Sequence, residues 1–190
     1  GVLRTVFLYP YAMSFVATGL VWQWMLTPGG GIGQALASLG YTGSFDWIVD
    51  QDMVMYTIVI ATVWQASGLV MAMMLAGLRG IDGDIWKAAR LDGIPAWRVY
   101  LSVVLPMMWP TIATVFLLLS TAVVKLFDAV VAMTQGGPGT ASEVPAKFIM
   151  DNLFGRANIG LASAGAVMLL VPVLALLVPY AYARSRKGRA

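Results

Sequence analysis

The chain has 190 residues, 59% of them hydrophobic and only 11% charged, and its mean hydropathy is +0.80; a soluble domain carries about 25% charged residues, and the apolar runs here are too long for a soluble core. The net charge of +3 does not indicate nucleic acid, because the basic residues stand at segment ends instead of forming one patch. The absence of cysteine and histidine excludes disulfide frameworks, thiolate catalysis, zinc sites built on these residues and imidazole acid–base chemistry.

A membrane span needs about 20 mostly apolar residues. Read in chain order, four segments meet this: residues 3–26, 54–78, 103–130 and 159–182. Trp22 and Trp24 near the end of the first suit the headgroup zone, and Pro10 is a candidate kink. The chain enters its first apolar segment almost at residue 1, a glycine, with no signal-peptide pattern. It is therefore expected to be the C-terminal part of a longer protein.

Residues 27–53 open on Pro28-Gly29-Gly30-Gly31, a breaker cluster, and their charges are the acids Asp46, Asp50 and Asp52. Gly29-Gly30-Gly31-Ile32-Gly33 lacks the Lys and strand context of a phosphate loop and reads as a turn. Residues 131–158 hold Gly136-Gly137-Pro138-Gly139 and then a mildly amphipathic piece from Glu143 to Phe154. The 79–98 connection and the C-terminal tail carry eight basic residues (Arg79, Lys87, Arg90, Arg98, Arg184, Arg186, Lys187, Arg189), against Lys147 and Arg156 in the other two connections. The positive-inside rule places that basic side in the cytoplasm.

The polar island between the second and third spans reads as a helix–turn–helix over residues 82–98. Asp82 suits an N-cap, Asp84 the first turn, Gly93 a positive-φ stop and Pro95 the start of a second helix. Asp92 at the junction is placed to bond backbone N–H groups of that second helix, and the small Ala88 and Ala89 leave room for another surface. A helix lying on lipid headgroups and a helix seated in a partner's groove both fit. The sharp Asp-Gly-x-Pro corner favours the groove.

In the third span Thr114, Thr121, Lys125 and Asp128 follow at intervals of seven, four and three residues, and Thr111 extends the row. At about 100° per residue they share a stripe roughly 60° wide. A charge in mid-bilayer costs at least ~2.5–3.5 kcal/mol, so this stripe should face protein or water. Lys125 and Asp128 can pair, either docking against a neighbouring subunit or lining a solute-accessible cavity with Thr121, Trp64, Gln65 and Phe127. Gln65 is equally suited to an interhelical bond. In the fourth span Gly160/Ala164 and Ala162/Ala166 are small-xxx-small pairs for close packing, and Pro172 and Pro179 are candidate bends.

Lys87-Ala88-Ala89-Arg90-Leu91-Asp92-Gly93 with Leu105-Pro106 resembles the coupling motif of permease subunits of binding-protein-dependent ABC importers, with Lys87 in place of the usual acid. Phe127-Asp128, Met133-Thr134-Gln135-Gly136-Gly137-Pro138, Tyr9-Pro10, Val21-Trp22 and Leu75-Ala76-Gly77-Leu78 resemble the sugar-permease branch, related to the maltose and glycerol-phosphate permeases. Trp64-Gln65-Ala66-Ser67-Gly68 and Asn158-Ile159-Gly160-Leu161 are similar to its glucose/mannose-type members. The resemblance covers essentially the whole chain. It implies an all-α polytopic fold of the MetI-like permease bundle, a single transmembrane permease domain over residues 1–190, and a place in the bacterial inner membrane.

It further implies an ATP-driven importer of a sugar, with glucose or mannose the nearest type. The expected partners are cytoplasmic ATP-binding subunits, a second and different permease subunit, a periplasmic sugar-binding protein and the bilayer. No cofactor is expected on this chain, ATP being bound by the partner, and no metal, nucleic acid or enzymatic role. Trp86, Lys87, Ala88, Ala89, Asp92, Gly93 and Pro106 would form the ATPase coupling, and Lys125, Asp128, Thr121, Gln65 and Trp64 the substrate pathway. Members of this branch carry more than four spans, with the extra ones N-terminal. The rival readings are an ion-coupled carrier or channel using Lys125 and Asp128, and an intramembrane enzyme. A carrier is expected to show paired repeats or helices broken at midplane, and neither is legible. The enzyme lacks a nucleophile–base pair or a ligand set.

Overall fold

The computed structural model describes residues 2–43, 45–124 and 126–187, which are helical with no strand among them. In order these are α1 (Val2–Ala12), α2 (Phe15–Leu26), α3 (Gly31–Ser38), α4 (Val54–Arg79), α5 (Gly83–Leu91), α6 (Ala96–Val99), a π-helical turn (Tyr100–Val104), α7 (Leu105–Met107), α8 (Trp109–Val124), α9 (Asp128–Met133), α10 (Pro145–Met150) with a second π turn (Asp151–Gly155), and α11 (Ile159–Lys187). The helix α3 lies in the connection read as loop.

Among the described residues, only α4 and the 159–180 part of α11 are single helices long and apolar enough to cross a bilayer. Two further candidate spans are bent pairs. Segments 5–12 and 15–38 meet at 107°, and 96–107 meets 109–124 at 66°. The first run is thus broken at Met13–Ser14, where a continuous helix with a Pro10 kink was the expectation. Pro10 lies inside α1, and Ser14 caps α2 by accepting a hydrogen bond from Ala17 N–H at 3.1 Å. The second bend falls at Met108, two residues before Pro110, whose ring has no N–H and crowds the carbonyl four residues back. Pro106 follows the π turn; the wider turn there accommodates a residue that cannot donate to Ser102. Pro172 and Pro179 both lie inside the continuous α11.

The bundle is organised around α4. On one side α1 crosses it so closely that a Cβ on Gly68 would stand 2.5 Å from the Phe7 carbonyl oxygen and 3.0 Å from Tyr11 Cβ. Further down, Gly77 faces Thr111 of α8, where a Cβ would meet Thr111 Oγ1 at 2.9 Å. The buried core at the other end joins Val54, Ile58 and Ala61 of α4 to Val130 and Met133 of α9, flanked by Trp22, Leu126, Ala141 and Val144. A matching close approach joins α2 to α9: a Cβ on Gly19 would be 2.6 Å from Ala132 Cβ. Between lipid-like surfaces such small-residue crossings supply the van der Waals contact that holds helices together. The α8 and α11 helices are tied by Thr114 Oγ1 and Tyr180 Oη, 3.2 Å apart.

Loops are fastened by side chains. Asp50 Oδ1 accepts from the N–H groups of Asp52 and Met53 (2.8 and 3.1 Å), just before α4. Asn158 Oδ1 accepts from Leu161 N–H at 3.1 Å at the start of α11. The 134–142 loop closes on Ser142, fully buried, whose Oγ lies 2.7 Å from Thr134 Oγ1 and donates to the Gly137 carbonyl at 2.7 Å. Lys147 pairs with Asp151 one turn along α10.

The Gly68 crossing generates a test. Gly68→Ala forces α1 off α4 and is expected to cost about 1–3 kcal/mol, whereas Gly83→Ala, with nothing within 4 Å of its added Cβ, is expected to be neutral. Equilibrium unfolding of the full-length protein in mixed detergent micelles checks the difference.

Candidate functional site

The corner after α4 is built as the local signals require. Asp82 caps α5, its carboxylate accepting from Asp84 N–H at 3.0 Å. Gly93 has φ +63°, the left-handed value that costs a residue with a Cβ about 1–2 kcal/mol, and Ile94 N–H closes the turn on the Ala89 carbonyl at 3.0 Å. Pro95 then stands as N-cap of α6. Two details differ from expectation. The Asp92 carboxylate is exposed and makes no hydrogen bond to α6; the turn is made by backbone groups alone. Lys87, in the acid's usual place, pairs with Asp84 (2.8 Å), and both side chains are exposed.

This helix has two faces with different uses. Trp86 and Ala89 turn inward onto a cluster of Val99, Val104 and Met108, together with Met74 and Leu78 at the end of α4. Trp86 meets Tyr100 at 5.2 Å between ring centroids. Ala89 is thus partly covered by a contact within the chain. Ala88, Lys87 and Asp92 point outward. So does Leu91, 88% exposed, which at about 100° per residue lies roughly opposite Trp86 and Ala89. Trp97 of α6 is 61% exposed and carries the Arg98 guanidinium 5.4 Å from its ring centroid. Leu91 and Trp97 were not singled out from sequence, although a large apolar residue on the polar side of a short amphipathic helix is the signal that finds them. Pro106 is exposed, beyond the π turn that carries Tyr100 and Val104. It therefore sits behind the corner and not on it.

The described residues proposed for a substrate pathway fall on three helices, α4, α8 and α9. The α8 helix ends at Val124 and Asp128 opens the separate α9, so the stripe through Thr114, Thr121 and Asp128 is not carried on one helix. Lys125 lies outside the described residues, as does Arg189 of the basic tail. Thr121 is half-buried and returns its hydroxyl to the Leu118 carbonyl at 2.8 Å. Asp128 is exposed in the first turn of α9. Trp64 stands edge-on to Trp22, centroids 5.8 Å apart. Gln65 is buried and its Nε2 donates to the Met13 carbonyl at 2.7 Å, the interhelical alternative. Four residues of the glucose/mannose-like motifs thus have structural contacts: Trp64 packs on Trp22, Gln65 bonds the elbow, Gly68 makes a crossing and Asn158 caps a helix. Among the described residues no group of three or more His, Cys, Asp or Glu could hold a metal.

A family model described as the binding-protein-dependent transport system inner membrane component matches residues 1–188. A probable ABC transporter permease of Pyrococcus horikoshii is 35% identical over 182 residues, which are 94% of this chain and 62% of that protein. A xylose/arabinose import permease of Haloferax volcanii is 29% identical over 187 residues, 97% of this chain and 59% of its own. The chain thus spans about three fifths of the length of these relatives. Among solved structures, a bacterial ABC transporter involved in import of the acidic polysaccharide alginate superposes with a TM-score of 0.84 at 19% identity, covering 98% of this chain and 65% of that one. A further crystal structure, of a bacterial alginate ABC transporter in complex with an alginate pentasaccharide-bound periplasmic protein, gives 0.81 at 19% identity over 93% and 62%. The helical permease fold read from the motifs is the fold observed, and the motif-bearing corner sits where that fold turns back between its central helices. The chain belongs to the family of inner-membrane components of binding-protein-dependent transport systems, which are transport components and not enzymes.

Proposed function

We propose that this chain is a transmembrane subunit of an ATP-driven sugar importer, forming part of the translocation pathway and receiving force through the 82–98 corner. The carrying observation is the two-faced α5. Its inner face packs through Trp86 and Ala89 on the Val99, Val104 and Met108 cluster that Met74 and Leu78 of α4 also touch, while its outer face leaves Leu91 and Ala88 exposed. A helix lying on headgroups would have no use for the left-handed corner at Gly93. A helix that must move as one body with a partner's groove needs both the corner and that packing. On this reading the partner ATPase binds and hydrolyses the nucleotide, and this chain performs no bond chemistry. A second permease subunit completes the pathway, and a periplasmic solute-binding protein delivers the cargo. The basic side of the chain, with α5 on it, faces the cytoplasm.

The break at Met13–Ser14 is a feature of ion-coupled carriers, but here it is met by the neutral amide of Gln65. It lends that rival no charge. For the pathway, Asp128, Thr121 and Trp64 with Lys125 remain the proposed polar wall, and Gln65 is assigned to the elbow. Sugar is the cargo class supported by the names of the relatives, which include xylose/arabinose, trehalose/maltose and lactose permeases. The finer proposal of a monosaccharide such as glucose or mannose rests on the resemblance at 64–68 and 158–161.

Leu91→Arg is expected to weaken retention of the ATPase subunit by about ten-fold or more, as for a buried apolar anchor, with the membrane helices intact. Co-purification of the full-length assembly reads this, and undiminished retention rejects the outer face as the docking surface. Gly93→Val is expected to abolish sugar uptake while leaving ATP hydrolysis in place; normal uptake by that variant overturns the lever. In the reconstituted assembly, glucose or mannose with the cognate binding protein is expected to stimulate ATP hydrolysis. Stimulation by disaccharides alone rejects the monosaccharide assignment and leaves the importer reading standing.

A further inference from the structure

We infer that the elbow between α1 and α2 is a hydrogen-bond switch, and that Gln65 is the positioning residue holding it bent. In an unbroken helix the Met13 carbonyl would accept from Ala17 N–H. Here Ala17 N–H donates instead to Ser14 Oγ at 3.1 Å, and Thr18 N–H goes to the Ser14 carbonyl at 3.0 Å. The Met13 carbonyl has lost its helical partner inside an apolar bundle, where an unpaired backbone group is costly. The replacement comes from 52 residues away: Gln65 Nε2 donates to it at 2.7 Å. Gln65 is 3% exposed and its Oε1 has no hydrogen-bond partner. The amide has therefore been committed to the elbow with its own acceptor stranded, which a purely packing role would not require.

The exchange concerns two backbone groups, the Met13 carbonyl and the Ala17 N–H. Bent, Ser14 Oγ takes Ala17 N–H and Gln65 takes the Met13 carbonyl. Straightened, Ala17 N–H returns to the Met13 carbonyl and neither side chain is needed by the backbone. Straightening also loosens the Gly68 and Gly19 crossings. Phe7 of α1 and Phe15 of α2 line an apolar cavity of about 560 Å³ with Val63 and Ala66 of α4 and Leu119 of α8, beside the joint. Gln65 sits on the helix whose end carries the α5 corner, with no break between them. If the importer reading holds, motion of α5 reaches the elbow along α4; the switch itself does not depend on that reading.

The test uses the full-length protein in its assembly, without nucleotide or sugar, so that failure of the importer reading leaves it readable. The described chain has no cysteine, so spin labels can be placed at Val6→Cys and Trp24→Cys, both on exposed positions of α1 and α2. On a straight helix these positions are roughly 27 Å apart at ~1.5 Å per residue, and the bend shortens this. Gln65→Met keeps length and volume but removes the donor, and is expected to shift the pulsed-EPR distance distribution towards the straight value. Ser14→Ala, at an exposed position, releases Ala17 N–H and is expected to shift it the same way, with the double variant showing less than the sum. A packing role for Gln65 would leave Ser14→Ala silent. Distributions that overlay the parent in both variants overturn the switch. Should Gln65→Met fail to assemble, an unchanged distribution in Ser14→Ala overturns it alone.

Discussion

Every backbone polar group within an apolar bundle must find a partner, and this constraint decides what the breaks in these helices look like. A helix satisfies its own interior, so the cost concentrates wherever the chain leaves helical geometry. Five such places are met by side chains. Ser14 and Gln65 serve the elbow, Asp50 the approach to α4, Asp82 the corner, Thr134 with Ser142 the 134–142 loop, and Asn158 the start of α11. The small polar residues that a hydropathy profile treats as interruptions are the fittings that make the interruptions affordable. Where no side chain serves, at the Met108 bend, the residue at fault is a proline that has no N–H to leave unpaired.

The same constraint explains why α4 is the axis of the fold. It is long and unbroken, so it has no backbone groups to offer and can only contribute surface. That surface is divided by function along its length. Val54, Ile58 and Ala61 make the buried core with α9; Gln65 and Gly68 receive the elbow and α1; Gly77 receives α8; Met74 and Leu78 receive the corner. A displacement that reaches α4 meets no break along that helix until it arrives at neighbouring helices. Rigid transmission of this kind needs close contact at each crossing, and the glycines provide it where a methyl group would already collide.

What could be read from the sequence was local. Asp82, Gly93 and Pro95 announce their roles within a few residues, because capping and left-handed turns depend on immediate neighbours. The four apolar runs are visible because hydropathy is a sum over neighbours too. The elbow was not legible as a break. Pro10 marks a kink, but the turn at Met13–Ser14 lies inside an otherwise unbroken apolar run, and the group that completes it is on another helix. The end of α8 at Val124 was also hidden, since Ala122 to Asp128 contain neither glycine nor proline. A stripe computed on the assumption of one helix therefore joined Thr121 to an Asp128 that belongs to the next. The intrachain contact of Ala89 was hidden for a related reason: its small size fits an open docking surface and a close packing contact equally, and the cluster it packs on is assembled from other helices.

The motif at the corner can be divided by physical role. Ala89 and Trp86 are held by the chain itself, Gly93 by backbone geometry and Pro106 by a turn behind the corner. None of these needs a partner to account for it. What is left after those demands are met is the outward set of Ala88, Leu91, Asp92 and Trp97. Lys87 is partly accounted for, its charge being engaged by Asp84. Leu91 is the residue that no intrachain interaction explains, since an exposed leucine contributes nothing to the cluster beneath it and gains nothing from water. A partner that buries it recovers that apolar area, which makes the outer face, and not the motif as a whole, the part whose chemistry must complement a groove.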